Sequence, residues 1–289
     1  MIGLVLAGGN STRLYPLNQV CTKQMLPIYD KPLIYYPLAN LLLLGIREFV
    51  IIIKPYDKKN IIKLIGNGEN YGIKISYIEQ EKPNGIPEAL ILAEKYLRRK
   101  KIMMILGDNI FFGNTLTSTI NSLIKRTKSK CNIFLHEVEN PNAYGVALID
   151  KKTNKILRIV EKPKKFVSKY VVTGLYVFDD SSVNLAKKLK KSERNEIEIT
   201  DLINIYIKNK NIDYKILERG IFWIDAGTTN NILKASQIIE LIQNRNQNKI
   251  ACIEEICYEK KYISKLQYKK LINKIPKCEY REYLQKKII

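Results

Sequence analysis

Short apolar runs alternate with helical patterns from residue 2 to residue 106, and this alternation restricts the possible fold more than any other feature. The apolar runs cover residues 2–7, 49–54, 73–78 and 102–106, and the helical patterns cover 37–44, 58–65 and 87–99. Buried parallel strands have continuous apolar sequences of this kind. Strands that alternate with helices predict right-handed crossovers and a mostly parallel sheet.

The alternation changes after about residue 130, where strand patterns follow one another with fewer helices between them. Strands are predicted at residues 132–138, 145–149, 156–160, 171–178 and 214–217, and helices at 181–189, 199–209 and 230–244. The later strands predict a mixed sheet that extends the parallel one. We therefore expect one α/β domain over residues 1–245 and a small helical extension over residues 246–289, which is rich in Lys, Glu and Tyr.

The net charge, the cysteines and the single histidine argue against several classes of function. The net charge of +21 comes from lysines scattered along the chain, without a basic and aromatic module, so we expect no specific nucleic-acid partner. The five cysteines lack metal-ligand spacing, and the single histidine, His136, argues against a zinc site or a Ser-His-Asp triad. No apolar run reaches the roughly 18 residues that span a bilayer. Residues 1–9 do not have the pattern of a signal peptide, so we expect a cytoplasmic protein without a membrane partner.

The loop after the first apolar run has the composition of a phosphate-binding segment. Residues 8–16 read GGNSTRLYP. Glycines let the backbone approach a phosphate closely, and successive N–H groups can surround its oxygens. Arg13 adds a planar set of donors, and Lys23 adds a compact cation. The segment is neither a P-loop nor a G-x-G-x-x-G fingerprint.

Further motifs follow this loop along the chain. They are residues 22–27 (TKQMLP), 29–38 (YDKPLIYYPL), 106–111 (LGDNIF), 161–163 (EKP), 172–176 (VTGLY), 196–201 (EIEITD) and 223–228 (WIDAGT). In this order, and with the first loop, they resemble the sugar-nucleotide pyrophosphorylases. The resemblance implies a Rossmann-like catalytic domain, with a mixed, mostly parallel sheet flanked by helices, and a homotetramer.

The resemblance also implies a reaction. A thymidylyl group would pass from dTTP to glucose 1-phosphate, giving dTDP-glucose and pyrophosphate. The attacking phosphate oxygen is already an anion, so the site must supply cations and a metal ion instead of a general base. A uridylyltransferase for the same sugar phosphate is one alternative, and a catalytically silent nucleotide-binding subunit is another.

Two aspartates are the candidate ligands for Mg²⁺, the expected cofactor. Asp108 follows the run 102–106, and Asp225 follows Trp223 and Ile224. Magnesium in proteins prefers one or two carboxylates together with substrate phosphates and water. The resemblance assigns both aspartates to this role.

The resemblance implies binding roles for further residues. The catalytic candidates are Arg13, Lys23, Lys162 and Asp108. The candidates for nucleotide binding are Gly8, Gly9, Gln24, Gln80 and Gly85, and those for the sugar phosphate are Gly145, Glu161, Lys162, Val172, Tyr176 and Arg194. The Gln80 amide combines a donor and an acceptor, which matches a pyrimidine edge. Val172 and Tyr176 could equally be core residues.

Several positions differ from the family pattern, and three of them bear on ligand binding. Ser11 replaces a usual glycine, which adds strain if its φ angle is positive. Glu88 stands where glutamine is usual and could direct a negative charge toward the nucleotide. Glu259 replaces an arginine that is common in the regulatory nucleotide site of tetrameric members, and would repel a diphosphate there.

Overall fold

The structure is a computed structural model, and it describes residues 1–288. The strands are β1 Ile2–Ala7, β2 Pro27–Ile28, β3 Lys31–Pro32, β4 Glu48–Ile53, β5 Lys74–Glu79, β6 Ile102–Leu106, β7 Asn109–Phe112, β8 Cys131–Glu137, β9 Gly145–Asp150, β10 Lys155–Glu161, β11 Tyr170–Phe178, β12 Ile212–Ile216 and β13 Phe222–Asp225. The helices are α1 Tyr35–Leu43, α2 Lys58–Ile65, α3 Glu88–Leu92, α4 Glu94–Leu97, α5 Leu116–Arg126, α6 Ser181–Ala186, α7 Ile199–Lys208, α8 Thr229–Asn246, α9 Ile253–Glu259, α10 Lys265–Asn273 and α11 Glu279–Lys286.

The main sheet has nine strands and confirms the predicted mixed, mostly parallel architecture. Its order is β10-β9-β11-β6-β1-β4-β5, with β8 paired to both β11 and β12. Strands β6, β1, β4 and β5 are mutually parallel, whereas β11 runs antiparallel to β6 and β8. Strand β11 forks the sheet, because it pairs with β9 at Val171 and with β6 from Leu175 onward. Its register against β8 shifts between Val172 and Tyr176.

Helices cover both faces of this sheet. Successive side chains of a strand point to opposite faces, so Val5 of β1 enters one apolar cluster and Leu4 enters the other. Helices α1, α8 and the C-terminal helices contribute to the first cluster, and α3, α6 and α7 contribute to the second. None of the helices in residues 1–288 is long and apolar enough to cross a membrane.

The structure adds elements that the sequence patterns did not predict. Strands β7 and β13 form a separate antiparallel ribbon in which Asn109 lies opposite Asp225. Helix α5 follows this ribbon's first strand. The predicted helix at residues 87–99 is divided into α3 and α4 at Ala93, whose φ of −85° and ψ of 2° fall outside the helical range.

The C-terminal helices pack on the catalytic part of the chain through apolar side chains and two buried carboxylates. Helix α9 contacts α1, and its Glu254 and Glu255 are buried. The Tyr280 hydroxyl donates a hydrogen bond to Glu254 Oε2 at 2.6 Å, and the Tyr283 hydroxyl donates one to Glu255 Oε2 at 2.6 Å. Because α9 shares its apolar cluster with α1, the division at residue 245 stays a prediction.

Glu254 is the group through which we expect this region to respond to pH. Burial raises the pKa of the Glu254 carboxyl, whereas the Tyr280 hydrogen bond acts to lower that pKa. A carboxyl whose pKa is higher in the folded than in the unfolded state favours folding at low pH. Its contribution is complete below the unfolded pKa and is lost as the pH rises through the folded value.

We expect Tyr280→Phe to destabilise the protein by about 1–3 kcal/mol at pH 7, because an ionised buried carboxylate loses a donor. The loss should be smaller at pH 4, where more of the carboxyl is protonated. Urea unfolding at the two pH values measures both effects. Tyr56→Phe, at an exposed tyrosine, is the control. An equal loss for Tyr280→Phe at the two pH values would contradict the assignment of Glu254 as the titrating group.

Candidate active site

A cleft of about 720 Å³ opens where β1, β5 and β6 end, at the carboxyl edge of the parallel strands. Ligands of open α/β sheets bind at this edge. The structure brings together ten of the residues selected from the sequence, which line the cleft: Gly8, Gly9, Arg13, Lys23, Gln24, Gln80, Gly85, Asp108, Lys162 and Arg194. These ten residues bring three glycine positions, two side-chain amides, four cationic side chains and a carboxylate into one cleft.

The loop after β1 forms one wall of the cleft. An ideal Cβ on Gly8 would lie 2.8 Å from Gln80 Oε1, so a side chain at this position would displace the glutamine. Ser11 has φ 54° and ψ 34°, which is the left-handed conformation. The strain that the missing glycine predicted is therefore present in the structure.

We expect Ser11→Gly to stabilise the fold by about 1 kcal/mol, because glycine adopts positive φ without a steric penalty. The midpoint of urea unfolding measures this gain. Ser118→Gly inside α5 is the matched control and should destabilise the protein by about 0.5–1 kcal/mol. Equal signs for the two variants would contradict the backbone explanation.

The β7–β13 ribbon holds Asp108 and Asp225 close together. The Ala226 backbone N–H donates to the Asp108 carbonyl oxygen at 2.8 Å, next to the pairing of Asn109 with Asp225. Lys23 donates a hydrogen bond to Asp108 Oδ2. Burial acts to raise the pKa of Asp108, but the Lys23 charge and hydrogen bond outweigh it and hold the pKa below its usual value.

Asp225 has the opposite electrostatic balance. Burial first, and then the neighbouring Asp108 carboxylate, raise the pKa of Asp225 to about 6. Its Oδ1 atom is buried without a hydrogen-bond partner among residues 1–288. A buried acceptor beside a second carboxylate is an arrangement that a divalent cation stabilises. Residues 1–288 contain no cluster of three or more His, Cys, Asp or Glu placed to hold a metal, so this pair would need substrate phosphates as further ligands.

Asn109 orients the Asp108 carboxylate, a role that the sequence patterns did not indicate. Its Nδ2 donates to Asp108 Oδ1 at 3.0 Å, while its Oδ1 accepts from Trp223 Nε1 at 2.7 Å and from the Gly174 backbone N–H at 3.2 Å. The side chain thus links β7, β11 and β13 directly behind the carboxylate. Its position after Asp108 in the LGDNIF motif was the available signal.

The opposite wall carries the candidates for the sugar phosphate. Lys162 follows β10 with a φ of 40°, an unusual angle for lysine that clusters at functional sites. Glu161 Oε1 lies 3.8 Å from Lys162 Nζ and 3.4 Å from Arg194 Nη1. Burial and the Glu198 carboxylate raise the pKa of Glu161, although both cations oppose this shift. Gly145 pairs with Glu161 across β9 and β10, which places the glycine beside this group.

Several predicted residues do not line the cleft. Gly145, Glu161 and Asp225 lie next to residues that do, through the contacts described above. Val172 and Tyr176 are buried in the second apolar cluster, and the Tyr176 ring stacks on Phe178 at 5.9 Å. Burial raises the pKa of the Tyr176 hydroxyl, and the Glu161 and Asp108 carboxylates raise it further.

The cleft also contains residues that the sequence analysis did not select. They are Leu6, Asn10, Ser11, Thr12, Pro83, Ile86, Leu106, Ala143, Glu196 and Gly227. Glu196 is notable because its Oε2 lies 3.4 Å from Arg194 Nη2, so the arginine is surrounded by carboxylates. Its position at the start of the EIEITD motif was the sequence signal that could have identified it.

Comparisons with known proteins agree with this geometry. A sequence profile described as nucleotidyl transferase matches residues 2–241. A glucose-1-phosphate thymidylyltransferase of Neisseria meningitidis is 38% identical over 284 residues, which cover 98% of both chains. One of Xanthomonas campestris is 39% identical over 282 residues, which cover 98% of this chain and 95% of the relative.

Solved structures show the same fold. A Bacillus anthracis structure, described as a candidate glucose-1-phosphate thymidylyltransferase in complex with sucrose, has a TM-score of 0.76 at 34% identity and covers 82% of this chain and 95% of its own. A UDP-glucose pyrophosphorylase with UDP-glucose has a TM-score of 0.71 at 25% identity, covering 83% and 98%. The profile match and the near full-length relatives place this chain in the nucleotidyl transferase family, among relatives of the glucose-1-phosphate thymidylyltransferases.

Proposed function

We propose that this chain transfers a thymidylyl group from dTTP to glucose 1-phosphate and releases pyrophosphate. The observation that carries the proposal is that Arg13, Lys23, Lys162 and Arg194 line one cleft together with the Asp108 carboxylate. Relatives that match nearly the full chain and bear the name of this activity support it. The cleft volume of about 720 Å³ falls within the usual range for small-molecule sites.

The reaction requires two polyanions to lie side by side. Arg13 and Lys23, beside the glycine loop, would hold the triphosphate, and Lys162 with Arg194 would hold the sugar phosphate on the opposite wall. Binding in this way sets the attacking oxygen in line with the leaving pyrophosphate and replaces solvation of the charges by fixed cations. Glu161 would accept hydrogen bonds from the sugar hydroxyls.

A divalent metal is general in this family, and we propose Mg²⁺ for this chain. Asp108 and Asp225 would hold the ion, since the pair leaves a buried oxygen without a donor. When bound, the ion would neutralise charge that develops on the phosphates. Lys23 holds Asp108 in its ionised form, and Asn109 fixes the orientation of that carboxylate.

Base recognition is assigned to Gln80, with Gly85 beside it and Gln24 near the ribose. Gly85 has φ 114°, and an ideal Cβ on it would lie 2.0 Å from the Ile197 carbonyl oxygen. Glycine is therefore required for the packing of this loop as well as for close approach of a base. Uracil lacks only the methyl group of thymine, so the base should contribute about 1–3 kcal/mol to discrimination against UTP.

Two alternatives remain distinguishable by experiment. A uridylyltransferase would prefer UTP, and a silent nucleotide-binding subunit would show no turnover. The joint presence of the four cations and both aspartates supports an enzyme, because nucleotide binding alone does not require them together. The homotetramer, the cytoplasmic location and the effect of Glu259 on regulation stay predictions.

We expect pyrophosphate release only when dTTP, glucose 1-phosphate and Mg²⁺ are all present, because each supplies part of the charge arrangement. A coupled pyrophosphate assay with each component omitted in turn measures this requirement. UTP in place of dTTP provides the comparison with the alternative activity. Absence of release with both nucleotides would refute the enzyme proposal.

We expect Asp108→Asn to lower kcat by about a hundredfold or more, because a cationic site loses the anion that orients Lys23 and the metal. The far-UV circular dichroism spectrum should stay unchanged. Asp213→Asn, on β12 at the surface, removes the same charge and should leave the rate near that of the wild type. A wild-type rate in Asp108→Asn would remove this residue from the mechanism.

A further inference from the structure

Glu88 lies outside the lining of the cleft, but its carboxylate contacts the residue assigned to base recognition. Gln80 Nε2 donates a hydrogen bond to Glu88 Oε2, which also accepts the Asn84 backbone N–H at 3.2 Å. Glu88 Oε1 accepts a hydrogen bond from Asn84 Nδ2 at 2.7 Å. One carboxylate therefore connects Gln80 to the loop that carries Gly85.

These contacts determine which way the Gln80 amide points. A carboxylate offers only acceptors, so the amide group that faces it must be the NH₂. The Gln80 carbonyl oxygen lies on the other side, 2.8 Å from the position of an ideal Cβ on Gly8. Gly8 and Gln80 both line the cleft, so the amide presents its acceptor to a ligand there. Gln80 itself is 7% exposed, and its backbone N–H donates to the Ile53 carbonyl oxygen at 2.8 Å.

We propose that Glu88 is a positioning residue that fixes the polarity of the Gln80 amide and thereby selects a pyrimidine with a proton on N3. The inference rests on the proposed function. Thymine and uracil donate from N3–H to an acceptor, whereas N3 of cytosine is itself an acceptor. Cytosine would face the Gln80 carbonyl oxygen without a hydrogen bond, which is costly in a partly buried site. An amide released from Glu88 can turn and offer its NH₂ to cytosine.

The same contacts explain a departure from the family pattern. The sequence allowed Glu88 to direct a negative charge toward the nucleotide, but its two oxygens accept N–H groups of Gln80 and Asn84 instead. The Asn84 backbone N–H can only donate, so it requires an acceptor at the position of Oε2. A glutamine at residue 88 could meet this requirement by placing its carbonyl oxygen there. The requirement is therefore an acceptor facing Gln80, and both residue types meet it.

Competition between dTTP and dCTP in the presence of glucose 1-phosphate tests the proposal. Glu88→Met retains length but removes the acceptors, and its ratio of kcat/KM for dTTP over dCTP should fall about tenfold or more. Its KM for dTTP should rise, while kcat and the KM for glucose 1-phosphate change by less than about threefold. Glu88→Gln is the conservative variant, and its ratio should remain within about threefold of the wild-type ratio.

The selectivity ratio does not depend on the amount of active enzyme, so partial misfolding does not alter it. Glu88→Asp is the substitute variant if Glu88→Met is not recovered folded. It retains the charge but withdraws the oxygens by one methylene, so its ratio of kcat/KM for dTTP over dCTP should fall in the same way. Glu81→Gln, at the exposed neighbour of Gln80, is the control for loss of charge. If the wild type is active and the ratio is unchanged in Glu88→Met, or in Glu88→Asp where that variant is used, the inference about Glu88 is overturned. The proposed function is not affected by that result. A wild type without turnover of dTTP or UTP would overturn the proposed function.

Discussion

The site depends on two largely buried carboxylates that are held side by side. The pairing of β7 with β13 fixes Asp108 and Asp225 at one end of a ribbon, although they lie far apart in the chain. Two like charges at short range disfavour simultaneous ionisation, so their surroundings must supply positive charge. Lys23 and Arg13 supply part of it, because both cations act to lower the pKa of Asp225. Because the two carboxylates require further positive charge, the cleft is suited to a metal ion and to substrates whose phosphates complete its coordination.

Much of this arrangement could be predicted from the sequence, because the carboxyl ends of parallel strands lie at the same edge of a sheet. The runs at residues 2–7 and 102–106 were identified as parallel strands, so the glycine loop and Asp108 were expected at a common edge. The family motifs then selected Arg13, Lys23 and Lys162 from a chain rich in lysine. The structure brings these side chains to one cleft, while their individual catalytic roles stay predictions.

Other features depend on contacts that a linear pattern does not contain. Strands β7 and β13 have only four residues each, which is too short for a strand pattern to stand out, and their pairing joins distant segments. Residue type also does not give the direction of a side chain. Glu88 turns its charge to amide and backbone donors, and Val172 and Tyr176 point into the core. In each case the neighbours that decide the outcome come from elsewhere in the fold.

The fork of the sheet at β11 has a mechanical consequence. Strand β10, which ends at Glu161 and leads into Lys162, pairs with β9, and β9 joins the remainder of the sheet through the first half of β11. Strand β6, which leads into Asp108, pairs with the second half of β11. The shift in register between Val172 and Tyr176 falls between these halves, and Asn109 accepts a hydrogen bond from Gly174 at that point. The two walls of the cleft are therefore connected through a single strand, and the path of β11 around Gly174 sets the distance between them.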